Sequence, residues 1–307
     1  MQKQVIVTGG AGFIGHHLIK KLISKNYYPI IIDNFFNANF LNLKSLPANK
    51  YSLIKLDITN PNIENELKAF KPKVIVHLAA LHYIPYCISH PQDTINVNIQ
   101  GTKNILKIAN KLNIKKFVFS SSAAIYKPNN EPHKENDAVG PIDIYGQTKM
   151  KAEKIIKNFC TKNKIQFYIL RFFNVYGKGN LTPHLIPSLL KKIKKSNTIR
   201  IGNLDTYRDY IYVDDVIDAI LKIIEKESKI NEHIFNIGTG SGHSGKDILS
   251  IIESILNKTI KFVKDKNLMR KNDRKHLIAN TNKMKKYYNW QSTISLENGL
   301  KEVIENE

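Results

Sequence analysis

Tyr145 and Lys149 are four residues apart, a spacing that places both side chains on one face of a helix. A cationic lysine beside a phenol favours the phenolate, so the sequence predicts a lowered pKa for Tyr145. Such a phenol can act as a general base near neutral pH. A surface tyrosine and lysine would show the same spacing, so the pair needs support from other residues.

A run of serines, Ser120–Ser122, supplies part of that support, because it ends a predicted strand. Ligand sites in parallel sheets lie at the carboxyl ends of the strands. A hydroxyl there could hydrogen-bond the same substrate oxygen as Tyr145. The alternative is a strand that ends in serines and does no chemistry.

Residues 5–15 run from an apolar strand into glycines at positions 9, 12 and 15, and a helix-like segment follows. Strand, glycine turn and helix in this order form a cradle for a pyrophosphate. Asp33 closes the next predicted strand, where a carboxylate can accept a ribose 2′-hydroxyl and repels a 2′-phosphate. The sequence therefore predicts an NAD site; the alternative is a glycine-rich turn in another α/β protein.

Apolar runs alternate with helix-period stretches, which predicts an α/β fold with a Rossmann-like, doubly wound parallel sheet and a smaller C-terminal substrate-binding lobe. We expect an NAD-binding domain over residues 1–172. Residues 173–307 would form most of the substrate-binding lobe, with some elements returning to the main sheet. The predicted strands are Gln4–Thr8, Tyr28–Asp33, Tyr51–Leu56, Val74–Leu78, Lys116–Ser120, Phe167–Arg171, Thr198–Gly202 and His233–Ile237. The predicted helices are Gly12–Ser24, Ile63–Phe70, Ile95–Leu112, Gln147–Asn163, Leu185–Lys195, Asp214–Lys226, Gly245–Leu256 and Leu296–Glu305.

The chain has 307 residues and a formal net charge of +21, but only five of its 47 basic residues are arginine. The lysines are scattered along the chain, which argues against a nucleic-acid partner. Cys87 and Cys160 show neither metal-ligand spacing nor a disulfide framework. No apolar run has membrane-spanning length. We expect a cytoplasmic protein with no metal and no membrane partner.

The chain resembles the extended short-chain dehydrogenases/reductases, in particular their nucleotide-sugar epimerase/dehydratase group, over essentially its whole length. The segments that carry the resemblance are Thr8-Gly-Gly-Ala-Gly-Phe-Ile-Gly15, His77-Leu-Ala-Ala80, Tyr145-Gly-Gln-Thr-Lys149, Arg171-Phe-Phe-Asn-Val-Tyr-Gly177 and Arg208-Asp-Tyr-Ile-Tyr-Val-Asp-Asp215. The resemblance implies that Ser122, Tyr145 and Lys149 are catalytic. Ser122 is preferred to Ser121 because the family serine stands four residues before a tyrosine, here Tyr126.

The resemblance also implies which residues hold NAD. They belong to the glycine loop, the ends of the following strands and the catalytic helix: Gly9, Gly12, Phe13, Ile14, Gly15, Asp33, Asn34, Asp57, Ile58, Leu78, Ala79, Ala80, His82, Asn98, Tyr145, Lys149 and Phe172. Homodimerisation is a further expectation from the family.

For the substrate, the resemblance implies a nucleotide diphosphate conjugate of a sugar. The expected contacts are Ser122, Asn174, Asn180, Leu181, Arg208, Arg270 and Asp273. Planar guanidinium groups suit a diphosphate, and three of the five arginines fall in the matching segments. For one of them, Arg171, the alternative is an internal ion pair. Asn272 replaces a glycine of the family pattern, which makes the turn before Asp273 different.

Departures from the family pattern bear on the reaction. The dehydratases carry an Asp-Glu pair directly after the catalytic serine or threonine, whereas this chain has Ala123-Ala124. That favours a 4-epimerase acting through a transient 4-keto sugar, with a UDP-hexose or a derivative as substrate. Lys127 and the segment 81–85 differ from familiar galactose epimerases, so the sugar stays open. Leu277 stands where some epimerases have a bulky tyrosine, and a leucine is expected to admit an N-acetylhexosamine.

Two kinds of alternative stay open from the sequence. One is another enzyme of the same family: a nucleotide-sugar 4,6-dehydratase with displaced acids, a reductase or a decarboxylase. The other is a non-catalytic NAD-binding sensor, which could keep the glycine loop while losing the tyrosine or lysine.

Overall fold

The structure, a computed structural model, describes residues 2–38, 41–226, 233–265, 268–269 and 273–306. Its strands in chain order are β1 (Lys3–Thr8), β2 (Tyr27–Ile32), β3 (Ser52–Ile54), β4 (Val74–His77), β5 (Lys116–Ser122), β6 (Gln166–Phe172), β7 (Asn174–Tyr176), β8 (Thr198–Ile201), β9 (Tyr207–Arg208), β10 (Tyr210–Tyr212), β11 (Ile234–Ile237), β12 (Lys261–Lys264) and β13 (His276–Leu277). Its α-helices are α1 (Phe13–Ser24), α2 (Leu41–Lys44), α3 (Ile63–Glu66), α4 (Ile84–Ser89), α5 (Pro91–Ile95), α6 (Thr102–Lys111), α7 (Ile144–Lys162), α8 (Leu185–Ile193), α9 (Val213–Glu225), α10 (Gly245–Leu256), α11 (Asn282–Tyr288) and α12 (Leu296–Glu305).

The main sheet has seven strands in the order β3-β2-β1-β4-β5-β6-β11. From β1 the chain adds β2 and β3 on one side of the sheet and then β4, β5 and β6 on the other side. The carboxyl ends of β1 and β4 therefore flank the switch point where doubly wound folds bind dinucleotides. The β1, β2, β4 and β5 pairings are parallel, with Val5–Thr8 opposite Val74–His77. The predicted doubly wound α/β fold is confirmed.

The chain forms two compact units. Unit 1 comprises Met1–Ile125, Pro141–Arg171 and Ile217–Phe235, and unit 2 comprises Tyr126–Gly140, Phe172–Val216 and Asn236–Glu307. In unit 1, apolar side chains of the central strands pack against α6 and α7, and the strands read as nearly continuous apolar runs because both faces are covered. In unit 2, three parallel strand pairs form: β7 with β10, β8 with β12, and β9 with β13.

Several predicted elements differ from the observed ones. The predicted helix Ile63–Phe70 ends at Glu66, because the chain continues in three-residue turns such as Phe70 N to Leu67 O at 3.0 Å. The predicted helix Ile95–Leu112 is interrupted by a π-helical turn over Asn96–Gly101. By contrast, α10 has its predicted bounds, since Ser244 and Asp247 form a capping box at its start.

Candidate cofactor and active site

The glycine loop joins β1 to α1. Gly9 has a left-handed φ of +69°, and an added Cβ would lie 2.8 Å from the backbone of the segment after β4. At Gly15 an added Cβ would overlap the carbonyl oxygen of Gly9. Gly12, the N-cap of α1, has no side chain to cap the first turn, which begins with Phe13 and Ile14. A backbone cradle closed to side chains and placed at a helix N-terminus fits a bound pyrophosphate.

Asp33 follows β2 and lies beside this loop. Its carboxylate accepts the amide of Phe35 at 2.8 Å and, from the glycine loop, the amide of Ala11 at 2.9 Å. Burial raises the pKa of Asp33, and the amide hydrogen bonds oppose that rise. Asn34 donates to the Asp57 carboxylate at 2.6 Å, and Ile58 is buried behind it. The structure thus brings together four of the residues that the resemblance implied for NAD binding: Asp33, Asn34, Asp57 and Ile58.

The segment after β4 lies against the start of the glycine loop. The amide of Leu78 donates to the Thr8 carbonyl at 3.1 Å, and the amide of Ala79 donates to the Thr8 hydroxyl at 3.2 Å. Ala80 continues the segment to His82, which is half-buried, and burial lowers the pKa of that imidazole. Leu78 and Ala79 therefore border the cradle.

Asn98 lies in the π-helical turn, and its amide is occupied by protein groups. It accepts the Leu81 amide and donates to the Leu81 carbonyl, both at 2.9 Å, and donates to the Thr148 hydroxyl at 3.0 Å. These bonds connect the segment after β4 to α7. The geometry therefore gives Asn98 a positioning role, where we expected a contact with the cofactor.

A buried histidine, which sequence reasoning did not assign to the site, connects these parts. Nδ1 of His77 lies 2.7 Å from the Thr8 hydroxyl, and Nε2 lies 3.0 Å from the Thr102 hydroxyl. Thr102 donates its proton to the Asn98 carbonyl at 2.7 Å, so it accepts from Nε2–H of the histidine. Nδ1 is then the acceptor from Thr8. Burial lowers the pKa of His77 to about 3, which keeps this tautomer uncharged. The sequence feature that could have pointed to His77 is its place as a polar residue at the end of an apolar strand.

The structure brings the three predicted catalytic residues together in unit 1. Ser122 is the last residue of β5, and its side chain hydrogen-bonds the Tyr145 phenol near the start of α7. That helix begins after Asp143, which accepts the first-turn amide of residue 146 at 2.8 Å. Lys149 lies one turn further, with Nζ 6.0 Å from the Tyr145 ring centroid and 2.7 Å from the Ser120 carbonyl oxygen.

The electrostatics of this set differ from our expectation. Burial raises the pKa of Tyr145 above its usual value, and the Ser122 hydrogen bond opposes the rise only in part. Burial lowers the pKa of Lys149 to about 7, while the charge of Glu153 opposes that fall. The prediction of a lowered pKa for Tyr145 is therefore wrong for the protein without bound NAD. Burial removes the phenol from water, which makes its phenolate form unfavourable.

The three serines of the strand end have different partners. The hydroxyl of Ser120 donates to the His77 carbonyl at 3.1 Å, and that of Ser121 donates to the buried Glu153 carboxylate. Ser122 is the one that contacts the phenol. The geometry supports the choice of Ser122 rather than Ser121.

A buried 3₁₀ turn with Ala123 and Ala124 directly follows Ser122. The amide of Ala124 donates to Ser122 Oγ at 3.1 Å, which leaves the hydroxyl proton for another acceptor. Neither alanine can transfer a proton.

Arg171 is one of the arginines that we associated with the substrate diphosphate. It is buried and bonds Glu153 through two nitrogens, Nε at 3.0 Å and Nη2 at 2.9 Å. This internal ion pair overturns the diphosphate assignment for Arg171.

In unit 2, Arg208 pairs with Asp273 through Nη2. Arg270 and Asn272 lie outside the described residues, so the structure describes two of the three charged residues that the resemblance placed together. The carboxylate of Asp273 fixes the guanidinium of Arg208 at the end of β9.

Asp209 organises the surroundings of Arg208 and was missed by sequence reasoning. It is fully buried and accepts amide hydrogen bonds from Thr239 at 2.7 Å, Gly240 at 2.9 Å and Ala279 at 3.1 Å. Its own carbonyl accepts the Asn174 amide at 2.9 Å, which places β7 beside it. The sequence feature that could have pointed to Asp209 is its place as an acidic residue in a stretch of aromatic strand residues.

Four further predicted contacts occupy different environments. Phe172 is the buried last residue of β6, and Leu277 is buried on β13. Asn180 is buried and accepts the amide two residues later at 3.2 Å, whereas Leu181 is 73% exposed. The predicted role of Leu277 in admitting an N-acetyl group stays a prediction.

Cys87 and Cys160 are free and buried. Over the residues that the structure describes, no group of three or more His, Cys, Asp or Glu could hold a metal ion. The described helices include none that is both long enough and apolar enough to span a membrane.

Fold and site together define an NAD-binding enzyme of the Rossmann type. Residues 5–238 match the model of the NAD dependent epimerase/dehydratase family, and the chain belongs to that family. NAD is accordingly its cofactor, in keeping with the carboxylate of Asp33.

Two solved structures and one sequence relative show the extent of the similarity. The chain is 30% identical to UDP-glucose 4-epimerase of Lactobacillus helveticus, over 94% of this chain and 92% of the relative. UDP-glucose 4-epimerase of Thermotoga maritima, solved with UDP-glucose, is 28% identical with a TM-score of 0.89, covering 99% of this chain and 98% of that one. UDP-glucuronic acid 4-epimerase of Bacillus cereus, solved with UDP-glucuronic acid and NAD, is 27% identical with a TM-score of 0.91 and the same coverage.

Proposed function

We propose that the protein is an NAD-dependent nucleotide-sugar 4-epimerase that inverts C4 of a UDP-hexose or a derivative through a transient 4-keto sugar. The observation that carries the proposal is the grouping of half-buried Ser122 and Tyr145 with buried Lys149, together with the two alanines that follow Ser122 in place of acids. The similar proteins named above are 4-epimerases of UDP-sugars, which supports the substrate class.

The chain's own residues would handle the proton. Tyr145 Oη takes the proton of the sugar C4 hydroxyl and returns it after the 4-keto sugar has presented its other face. Ser122 donates to the C4 oxygen and stabilises the charge that develops there. Lys149, as a cation, favours the phenolate and holds the nicotinamide ribose. NAD, when bound, supplies reversible hydride acceptance and the positive charge of its oxidised ring.

In unit 2, Arg208 and Arg270 would hold the diphosphate, with Asn174 as a further contact, and Asp273 would contact the nucleotide ribose. A guanidinium that is fixed before binding loses little freedom when it engages a diphosphate. Homodimerisation stays a prediction.

The decisive variant for the proton transfer is Tyr145→Phe, which removes one hydroxyl and keeps the ring. Because positioned acid–base groups contribute about 10²–10⁴-fold, we expect turnover to fall by that factor, measured by NMR on a panel of UDP-, GDP-, CDP- and dTDP-sugars. Tyr51→Phe, at a tyrosine outside the site, is the matched control and should keep full turnover. Full epimerisation by Tyr145→Phe would contradict the mechanism.

The same assay separates the alternatives. Release of reduced or oxidised cofactor in stoichiometric amounts would indicate a reductase, and loss of water or carbon dioxide from the sugar would indicate a dehydratase or decarboxylase. Binding of NAD without turnover of any nucleotide sugar would indicate a sensor.

A further inference from the structure

Two consecutive residues of β5 contact two residues that lie one turn apart on α7. The carbonyl oxygen of Ser120 accepts Lys149 Nζ at 2.7 Å, and the hydroxyl of Ser121 donates to the Glu153 carboxylate. Because i and i+4 residues share a helix face, Lys149 and Glu153 both face the end of β5. The catalytic lysine thus has an acidic neighbour behind it, on the side of the core.

Glu153 is fixed by a third element. Arg171, on β6, donates Nε to Oε1 at 3.0 Å and Nη2 to Oε2 at 2.9 Å, in the forked geometry that suits a carboxylate. The exposed fractions of Lys149, Glu153 and Arg171 are 3%, 8% and 4%, so their charges interact with little screening by water. Glu153 therefore has one orientation, and its negative charge acts on Lys149 one helix turn away.

We propose that Glu153 is a positioning residue of the reaction: its carboxylate, held by Arg171 and Ser121, keeps Lys149 in the ammonium form that binds the cofactor ribose and supports the phenolate. This inference rests on the proposed function, because it assigns Glu153 to the same site. It adds a residue that touches neither substrate nor cofactor and acts through Lys149.

The other titratable groups around Lys149 do not replace this carboxylate. Desolvation lowers the pKa values of His77, on β4, and His82, in the segment after it, so both imidazoles are uncharged at neutral pH. Desolvation raises the pKa values of Cys87, on α4, and Tyr145, on α7, so neither supplies a negative charge in the NAD-free protein. Among these neighbours of Lys149, Glu153 is therefore the group that supplies a negative charge.

The sign of its effect follows from the charges. Burial lowers the pKa of Lys149 to about 7, and the negative charge of Glu153 opposes that fall. Without the charge, the pKa falls further and the ammonium is lost at lower pH. An ion pair that served stability alone would leave the titration of Lys149 unchanged.

The test is Glu153→Gln, which keeps the shape and removes the charge. NAD affinity and nucleotide-sugar turnover are each measured between pH 5 and 10. We expect the alkaline limb of both profiles to move down by about one pH unit or more, since the loss of a nearby opposite charge shifts a pKa by about that amount. Lys116→Met is the matched control: it removes a buried charge at the other end of β5 and should leave both limbs in place.

Glu153→Gln leaves Arg171 without a carboxylate and could prevent folding. The double variant Glu153→Gln/Arg171→Met removes both buried charges and is then measured in its place. Unchanged alkaline limbs in a folded variant overturn the inference. The NAD-affinity profile needs no sugar, so it tests Glu153 even where the wild-type protein turns over no nucleotide sugar, a result that would overturn only the proposed function.

Discussion

Lys149 would carry its charge in a place that water hardly reaches. It is 3% exposed. Its ammonium donates a hydrogen bond to the Ser120 carbonyl, and the negative charge of Glu153 acts on it. A buried amine of this kind stabilises the ligand-bound state and destabilises the protein without its cofactor. Function and stability therefore conflict at this residue.

Lys149→Met should make the NAD-free protein more stable while abolishing turnover. The pKa of the lysine falls from its usual 10.5 to about 7 on folding, so the cost of burying the ammonium is fully present below pH 7 and disappears towards pH 10.5. We expect a gain of about 1–4 kcal/mol near pH 6 that shrinks by pH 10. The measurement is the Tm of both proteins at the two pH values; a variant that is less stable at pH 6 would contradict it.

At this scale the sequence predicted which residues meet but not their electrostatics. The spacing of Tyr145 and Lys149 is visible in the chain, and so is the serine run. The sign of the tyrosine pKa shift depends on burial, which no spacing reveals. The internal use of Arg171 likewise depends on Glu153, eighteen residues away on another element.

The turn between β1 and α1 is the element that we expect to hold the pyrophosphate of NAD. Its close backbone contacts leave no room for a side chain at Gly15, where an added Cβ meets the carbonyl oxygen of Gly9. That contact brings the helix start against the strand end, which forms the cradle.

Gly15→Ala should therefore weaken NAD binding and cost about 1–3 kcal/mol of stability, because the helix must move away from the loop. Calorimetric NAD titration and thermal unfolding measure the two effects. Gly140→Ala, outside the glycine loop, is the control, since its added Cβ would come no closer than 3.2 Å to any neighbour, the nearest being Lys127 Cβ. Wild-type NAD affinity in Gly15→Ala would show that the cradle does not need this contact.

Elements with local signals were predicted, and elements defined by long-range contacts were missed. The capped helix α10 and the apolar strand β1 match their predictions within a residue. The π-helical turn over Asn96–Gly101 accompanies the bonding of Asn98 to Leu81 and Thr148, which are remote in sequence. The two- and three-residue strands of unit 2 exist only through their partners and carry no periodic pattern.

Over the whole molecule, the order of elements predicted the doubly wound sheet, since alternating strands and helices allow few other arrangements. The sequence did not predict which segments belong to each of the two units. Tyr126–Gly140 belongs to unit 2, where the Tyr126 hydroxyl bonds Asn236 at 2.6 Å and His133 pairs with Ala279. These partners lie more than a hundred residues away in the sequence, and no local pattern in residues 126–140 predicts the contacts.

In the proposed reaction, one bound NAD takes a hydride from C4 of a nucleotide sugar and returns the same hydride to it. NMR of the purified protein with UDP-hexoses in D₂O tests this directly. We predict inversion at C4 with no deuterium on that carbon and no net change in the redox state of the cofactor. Deuterium at C4 of the inverted product, or a nucleotide sugar converted only with stoichiometric consumption of cofactor, would contradict the account.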